Sequence, residues 1–227
     1  MRHKPWKGKG MEGWVGRWYA RTRQHDMEDF RRDAGAVAAE LRRGCRVLEV
    51  APGPGWFAIE LAKRGEFAIT GLDISRTLVE IATRNAGAAG VNVNFRRGDA
   101  SSMPFADESF DFVYCSAAFK NFSEPIKALD EIYRVLCPGG GAVVADLRKD
   151  ASIDDIETYV RQSGRRRLDA WLTMWTFRHV LLKRAYTQDE FFRMVELSRF
   201  GTCQIKVATI GVELRLTKAA EAAMGVA

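Results

Sequence analysis

Short apolar runs alternate with longer amphipathic segments over residues 45–147, and the two patterns predict strands and helices taken in turn. The run RVLEVA, which ends at Ala51, has the mostly apolar character of a buried strand. Its turn APGPG opens the helical segment WFAIELAKRG, which ends at Gly65. A strand, a tight turn and a helix in this order predict the first part of a βαβ unit.

The alternation continues with four further strands. The strand segments are FAITGLD, VNFRRGD ending at Asp99, DFVYCSAA and GAVVADL. The helical segments are SRTLVEIATRNA, capped by Ser75, and SEPIKALDEIYRVL, for which Ser123 is the expected cap and CPGGG the end. The apolar face of the second is expected at Ile126, Leu129, Ile132, Tyr133 and Leu136. Since parallel neighbours need crossover connections, the pattern predicts an α/β fold with a doubly wound, mostly parallel sheet.

The rest of the chain predicts additions to this core within one domain. The predicted division is 1–43 for a helical N-terminal arm and cap helix, 44–150 for the α/β core, 151–186 for a helical insertion, and 187–227 for the last helix, closing strands and tail. Within the arm, residues 1–26 show no clean period. The insertion interrupts the βα rhythm, and we expect it to cover the ligand edge of the sheet as a lid over the acceptor. A capping box from Thr187 to Glu190 begins the last helix, and the closing strands meet around Gly211.

Composition narrows the class of protein. The chain has 227 residues with 47% apolar and 28% charged side chains, which suits one packed domain rather than a disordered chain. No run approaches the roughly 20 apolar residues that a membrane span needs, and the first residues lack a secretory segment. We therefore expect a cytoplasmic protein with no membrane partner. The four cysteines, Cys45, Cys115, Cys137 and Cys203, lie too far apart for a metal knuckle, so no metal is expected.

The formal charge of +6 is concentrated in two basic groups. They are Arg2, Lys4, Lys7 and Lys9 at the start of the chain, and Arg161, Arg165, Arg166 and Arg167 within the insertion. Such groups can bind nucleic acid or phosphorylated ligands. They can equally be a solvated terminus and a solvated helix end.

Candidate binding residues follow the predicted strands. Ligands of open α/β sheets bind beyond the carboxyl ends of the strands, near the point where the strand order reverses. Gly53, Gly55 and Ala58 match GxGxxA after the first strand, where absent side chains let the backbone approach a ligand. Asp73 lies 20 residues beyond Gly53, where a carboxylate can accept both ribose hydroxyls, and Asp99 ends the third strand.

Four segments together resemble the successive motifs of class I S-adenosylmethionine (SAM)-dependent methyltransferases, of the type that acts on small molecules. The segments are VLEVAPGPGWFAIELAKRG, GLDIS, FRRGDASSMPFADESFDFVYCSAAF and ALDEIYRVLCPGGGAVV. They occur in the order and spacing of that family over about residues 45–147. The resemblance implies a Rossmann-like fold, methyl transfer as the activity, and SAM as the cofactor with S-adenosylhomocysteine as its product.

The resemblance also implies a cofactor site of ten residues. They are Glu49, Ala51, Pro52, Gly53, Gly55, Asp73, Ile74, Asp99, Ala100 and Ser116. By this resemblance, the loop 51–55 would lie along the methionine part of SAM, and Glu49 would order that loop. Asp73 would hold the ribose, and Ile74 would pack against adenine. Asp99 and Ala100 would contact the adenine edge, and the backbone near Cys115 and Ser116 would face the sulfonium.

Two positions depart from the family pattern. Ala51 stands where the first glycine is usual, which tightens the loop by one carbon. Lys120 and Asn121 stand where many relatives have two histidines, so no histidine base can be transferred. The catalytic residues therefore stay unknown. The candidates that the sequence offers are Lys120, Asp146, His179, Tyr19 and His25.

The expected acceptor is a small molecule with apolar or aromatic bulk. Trp171, Met174, Trp175 and Phe177 in the insertion could wall its pocket, although core packing explains them equally well. The arginine run 165–167 leaves an RNA methyltransferase open, and the missing histidines leave a non-catalytic SAM-fold binding protein open. An NAD-dependent dehydrogenase is less favoured, because no tyrosine is followed four residues later by lysine.

Overall fold

A seven-stranded sheet forms the centre of the protein in a computed structural model that describes residues 8–162 and 182–220. Its strands are β1 Arg46–Val50, β2 Ala68–Asp73, β3 Asn94–Arg97, β4 Phe110–Ser116, β5 Leu136–Leu147, β6 Gln204–Val207 and β7 Gly211–Thr217. Their order is β3-β2-β1-β4-β5-β7-β6. The first five are parallel, while β7 runs antiparallel to β5 and β6. The predicted doubly wound, mostly parallel sheet is confirmed.

The strand order reverses between β1 and β4. From β1 the chain continues outward to β2 and β3 on one side, and β4 and β5 follow on the other side. Crossover connections that leave β1 and β4 in opposite directions open a crevice beyond the carboxyl ends of these two strands. The sheet topology alone therefore places the ligand edge at the ends of β1, β2 and β4.

Helices flank the sheet and follow the predicted segments closely. They are α1 Gly13–Thr22, α2 Met27–Glu40, α3 Trp56–Ala62, α4 Arg76–Ala88, α5 Pro125–Val135, α6 Ile153–Gln162, α7 Leu182–Arg184 and α8 Gln188–Glu196, with 3₁₀ turns at Arg23–Asp26 and Phe119–Asn121. The Ser75 hydroxyl accepts from the Leu78 amide at 3.2 Å, which confirms that predicted cap. The predicted capping box is also present, since the Thr187 hydroxyl accepts from the Glu190 amide.

Two apolar clusters fill the two faces of the sheet. One contains Leu48, Val113 and Val144, and the other contains their chain neighbours Phe112 and Val143. Successive strand residues point to opposite faces, so this division is the expected result of a sheet covered by helices on both sides. Among the residues that the structure describes, no helix has the length and apolar character needed to cross a bilayer.

The predicted helical arm is present, since residues 13–22 form α1, although the sequence does not give the bounds of this helix. Three other predicted details differ from the structure. Glu124 rather than Ser123 occupies the N-cap position of α5, because Pro125 is the first helical residue. The CPGGG segment belongs to the long strand β5, and β3 ends before Asp99, which forms an isolated bridge with Ser102. The second helical pattern of the insertion, except its last residues, lies outside the described residues.

Candidate functional site

A cavity opens at the carboxyl edge of β1, β2 and β4. It encloses about 1010 Å³ of empty space, its open mouth included. Seven of the ten predicted site residues line it: Ala51, Gly53, Asp73, Ile74, Asp99, Ala100 and Ser116. These residues are separated by up to 65 positions in the sequence, so the sheet is what brings them together.

Asp73 ends β2 and is the most constrained carboxylate of the cavity. Its Oδ2 accepts from the Gly53 amide at 3.0 Å and its Oδ1 from the Ser75 amide at 2.9 Å. Only 5% of the residue is exposed, and this burial raises its pKa to about 6 against the opposing effect of the two amides. The carboxylate is therefore mostly ionised at neutral pH, and each oxygen keeps a lone pair for another donor.

The turn after β1 brings backbone close to the cavity. Gly53 has a φ of +56°, and a Cβ on it would stand 3.3 Å from Cε1 of Tyr19. Gly55 has a φ of +81° and serves a different purpose. A Cβ on it would stand 2.6 Å from the ring of Phe95, so this glycine permits packing behind the turn and does not line the cavity.

Glu49 and Pro52, the other two predicted residues outside the cavity lining, support the turn from within. The Glu49 carboxyl accepts from the Ala58 amide at 3.1 Å and so holds the start of α3. Burial raises the pKa of Glu49 to about 8, which leaves this carboxyl largely protonated at pH 7. Pro52 is buried, and its carbonyl accepts from the Gly55 amide.

The far end of the cavity is formed by Ile74 and the turn after β3. The Asp99 Oδ1 accepts from both the amide and the hydroxyl of Ser101 at 2.8 Å, which fixes the turn that carries Ala100. Leu78 at the start of α4 adds an apolar surface on this side. An apolar slot of this kind can hold a flat ring, and the fixed carboxylate beside it can accept a hydrogen bond from an amino group at the edge of that ring.

The N-terminal segment Gly8–Met11 also lines the cavity, although none of its residues is among the ten predicted site residues. The Gly8 amide donates to the Asn121 carbonyl at 3.0 Å, and the Ser75 hydroxyl donates to the Met11 carbonyl at 2.7 Å. Glu12 then accepts from the Arg76 amide at the start of α4. The Gly8 and Gly10 positions in KGKGME are the only sequence signal of this close approach.

The loop after β4 provides the remaining wall of the cavity. Its lining residues include Ala117, Ala118, Asn121, Phe122, Ser123 and Glu124. Lys120 points away into a buried ion pair, with its Nζ 2.7 Å from Oδ1 of Asp146. The two side chains are 5% and 0% exposed, so these two candidate bases serve to anchor the loop to the end of β5. His25 is exposed and outside the cavity lining, and His179 lies outside the described residues.

Comparisons with known proteins agree with this geometry. Residues 48–144 match the family model described as "Methyltransferase domain". The demethylmenaquinone methyltransferase of Deinococcus radiodurans is 40% identical over 122 residues, which is 53% of this chain and 51% of that protein. The ubiquinone/menaquinone biosynthesis C-methyltransferase of Haemophilus ducreyi is 34% identical over 116 residues, 48% of this chain and 44% of that protein. Residues 48–144 of the chain therefore belong to the methyltransferase-domain family.

A solved structure gives independent support for the fold. A SAM-dependent methyltransferase from Aquifex aeolicus superposes with a TM-score of 0.61 at 20% identity, covering 82% of this chain and 89% of that one. The chain spans about half the length of the curated relatives that it matches. The cofactor of the family is SAM. Asp73 fits that cofactor, because its buried, ionised carboxylate keeps a lone pair on each oxygen and faces the cavity.

The departure from the family pattern at Ala51 has a measurable consequence. Ala51 has a φ of +57°, in the left-handed region where a Cβ costs about 1–2 kcal/mol. Glycine loses more backbone entropy on folding, so Ala51→Gly should raise the free energy of unfolding by about 0.5–1 kcal/mol net. Urea denaturation of the two proteins measures this difference.

The matched control is Ala36→Gly, on the exposed face of α2. Alanine is favourable in a right-handed helix, so this change should lower the free energy of unfolding by about 1 kcal/mol. A loss of stability at both positions would contradict the strain assigned to Ala51.

Proposed function

We propose that this protein transfers the methyl group of SAM to a small apolar acceptor, and that a demethylated quinol ring is the first acceptor to test. The observation that supports this most is that the strand-end residues and the loop after β4 line the same cavity. A cofactor beside Asp73 and an acceptor beside Ala118 and Phe122 would share that cavity. Enzymes of this kind gain roughly 7–11 kcal/mol from holding two reactants in line.

The proposed cofactor residues divide by the part of SAM that they would hold. Ala51 and Gly53 would lie along the methionine part, and Asp73 would accept from the ribose hydroxyls. Ile74, Asp99 and Ala100 would hold the adenine, and Ser116 would lie near the sulfonium. Glu49, Pro52 and Gly55 would act by shaping the turn. When bound, SAM supplies an electrophilic methyl group on its sulfonium.

The acceptor side of the cavity combines apolar walls with polar groups. Met11, Tyr19, Ala118 and Phe122 supply apolar surface, and the Asn121 and Ser123 side chains supply hydrogen-bonding groups. Burial raises the pKa of the Tyr19 hydroxyl, so at neutral pH it stays protonated and can donate a hydrogen bond to an acceptor oxygen. Such a wall suits a ring that carries a hydroxyl and an apolar substituent.

The two relatives described above support a quinone-type acceptor. Their names specify demethylmenaquinone and the ubiquinone/menaquinone route. Because the shared length is about half of each relative, the acceptor comes to this chain only as a proposal. The lid formed by residues 151–186 also stays a proposal, since Trp171, Met174, Trp175 and Phe177 lie outside the described residues. The arginine run on which the RNA alternative depends, at 165–167, lies there as well.

Carbon methylation would join a ring carbon of the quinol to the methyl carbon and break the carbon–sulfur bond. The sulfur would keep the electron pair of the broken bond and leave as the thioether of S-adenosylhomocysteine, and the ring proton would pass to solvent, which restores the aromatic ring. In this step the protein's residues orient the ring and exclude water. The Lys120–Asp146 pair would contribute by fixing the loop that carries Ala118 and Asn121.

The test is transfer of a labelled methyl group from SAM in parallel reactions with a reduced short-chain demethylmenaquinone and with total RNA. We expect label in the quinone fraction, and at least about fivefold less of it with Asp73→Ala at limiting SAM, because of weaker cofactor binding. Label that appears only in RNA would show that the acceptor is RNA and not a quinol. No transfer to either acceptor by a protein that binds SAM would refute the quinol as the acceptor.

A further inference from the structure

Helix α1 leaves two tryptophans in the solvent. Trp14 is 75% exposed and Trp18 is 61% exposed, the two most exposed aromatic side chains among the described residues. They are four positions apart and therefore adjacent on one face of the helix. Arg17 and Arg21, which are also exposed, extend the same face. We call these four residues the α1 outer face.

The opposite face of α1 explains why the indoles cannot turn inward. Gly16 and Ala20 are buried on that face. A Cβ on Gly16 would stand 2.4 Å from the Met11 carbonyl oxygen and 3.1 Å from Cγ2 of Thr77. The Gly13 amide also donates to the Thr77 hydroxyl at 2.9 Å. Since only small residues fit against α4, the rotation of α1 is fixed and the tryptophans stay outside.

The charge around the α1 outer face indicates the kind of partner. Residues 13–25, GWVGRWYARTRQH, contain three arginines and no acidic side chain. Only Arg23 of the three has an acidic partner among the described residues, Asp26 at 2.5 Å. Tryptophan is enriched at the boundary between lipid headgroups and acyl chains, and arginines beside it are attracted by anionic lipids. A face of indoles and unpaired arginines therefore complements an anionic bilayer surface.

We propose that the α1 outer face docks this protein on anionic membranes, with Trp14 and Trp18 placed among the lipid headgroups. The sequence predicts no membrane partner, and peripheral docking revises that prediction without adding a membrane span. The segment before α1 and Tyr19 on the helix itself both line the cavity. Docking would bring the cavity next to the bilayer, in which an acceptor with an apolar chain dissolves. This benefit of docking rests on the proposed function, whereas the docking itself does not.

The test is flotation of the full chain with vesicles of phosphatidylglycerol and phosphatidylcholine, compared with vesicles of phosphatidylcholine alone. The native protein should float with the anionic vesicles and detach as salt is raised. The variant Trp14→Ala/Trp18→Ala should bind about 10- to 100-fold more weakly, because it loses the apolar surface that enters the headgroups. Arg17→Gln/Arg21→Gln should remove the preference for anionic vesicles.

The matched control is Phe192→Ala/Leu197→Ala, which removes two exposed apolar side chains at α8. This control should float as the native protein does. Equal flotation of the native protein and the tryptophan variant, or no flotation of the native protein, overturns the proposal. Loss of a dimer in the tryptophan variant without any vesicle binding would assign the face to a second copy instead. S-adenosylhomocysteine binding measured on every variant shows whether the cofactor site is intact, so a failure of docking is distinguishable from a failure of the proposed function.

Discussion

Asp146→Ala should lower the free energy of unfolding by about 3–5 kcal/mol, the usual result of leaving a buried charge without its partner. Asp146 is fully buried, and its two carboxylate oxygens accept from the ammonium and from the backbone amide of Lys120 at 2.7 and 2.8 Å. After the change, the Lys120 ammonium keeps only the Ala117 carbonyl, at 2.5 Å, among the described residues. Thermal or urea denaturation measures the loss.

A double-mutant comparison separates the ion pair from simple loss of packing. Lys120→Met combined with Asp146→Ala removes both charges, so the double variant should be more stable than Asp146→Ala alone. The exposed pair formed by Arg215 and Glu40 at 2.9 Å is the matched control. Glu40→Ala should change the free energy of unfolding by less than about 1 kcal/mol. A similarly small effect of Asp146→Ala would show that the buried pair does not hold the loop.

Asp73→Ala should weaken SAM binding by about 1–3 kcal/mol, or roughly 5- to 150-fold, because a charged hydrogen-bond acceptor is removed from a buried site. Asp73→Asn keeps the shape and one acceptor oxygen, so its loss should be smaller. Asp111→Ala is the control, since this carboxylate pairs with Arg46 at the opposite end of the strands. We expect native affinity in that variant once its folded fraction is counted.

The same carboxylate predicts the pH dependence of binding. Burial raises the pKa of Asp73 to about 6 in the protein without ligand. Hydroxyl groups that donate to the carboxylate favour its ionised form, so affinity should be constant above this pKa and should fall as the pH drops through about 6. In Asp73→Asn that decline should be absent. A decline of equal size in both proteins would assign the titration to another group.

Most of the sheet could be predicted from sequence because its strands and helices carry strong local patterns. The strand ends at Ala51, Asp73 and Ser116 then follow from the rule that parallel strands meet their ligand at one edge. The bounds of helix α1 and the face that it buries could not be predicted in this way. Its buried face consists of Gly16 and Ala20 and its exposed face carries tryptophans, which is the reverse of the usual amphipathic pattern.

The cavity shows a similar division between local and tertiary information. Asp73 is recognisable from its spacing to Gly53. The contact of Gly8 with the Asn121 carbonyl joins residues 113 positions apart, and its only sequence signal is the pair of glycines at 8 and 10, which does not identify the partner. Lys120 and Asp146 likewise form an ion pair because the fold places the loop after β4 beside the end of β5. The exposed or buried state of such a charge depends on tertiary packing, so sequence alone left both residues as candidate bases.

The central claim is that the cavity beside Asp73 binds SAM. Calorimetric titration of the native protein with S-adenosylhomocysteine and with NAD tests it most directly, because the ribose of either ligand class could bind the Asp73 carboxylate. We expect saturable binding of S-adenosylhomocysteine, at least about fivefold weaker binding by Asp73→Ala, and no comparable binding of NAD. Tighter binding of NAD, or equal affinity of the native protein and a folded Asp73→Ala for S-adenosylhomocysteine, would contradict the assignment of this cavity to SAM.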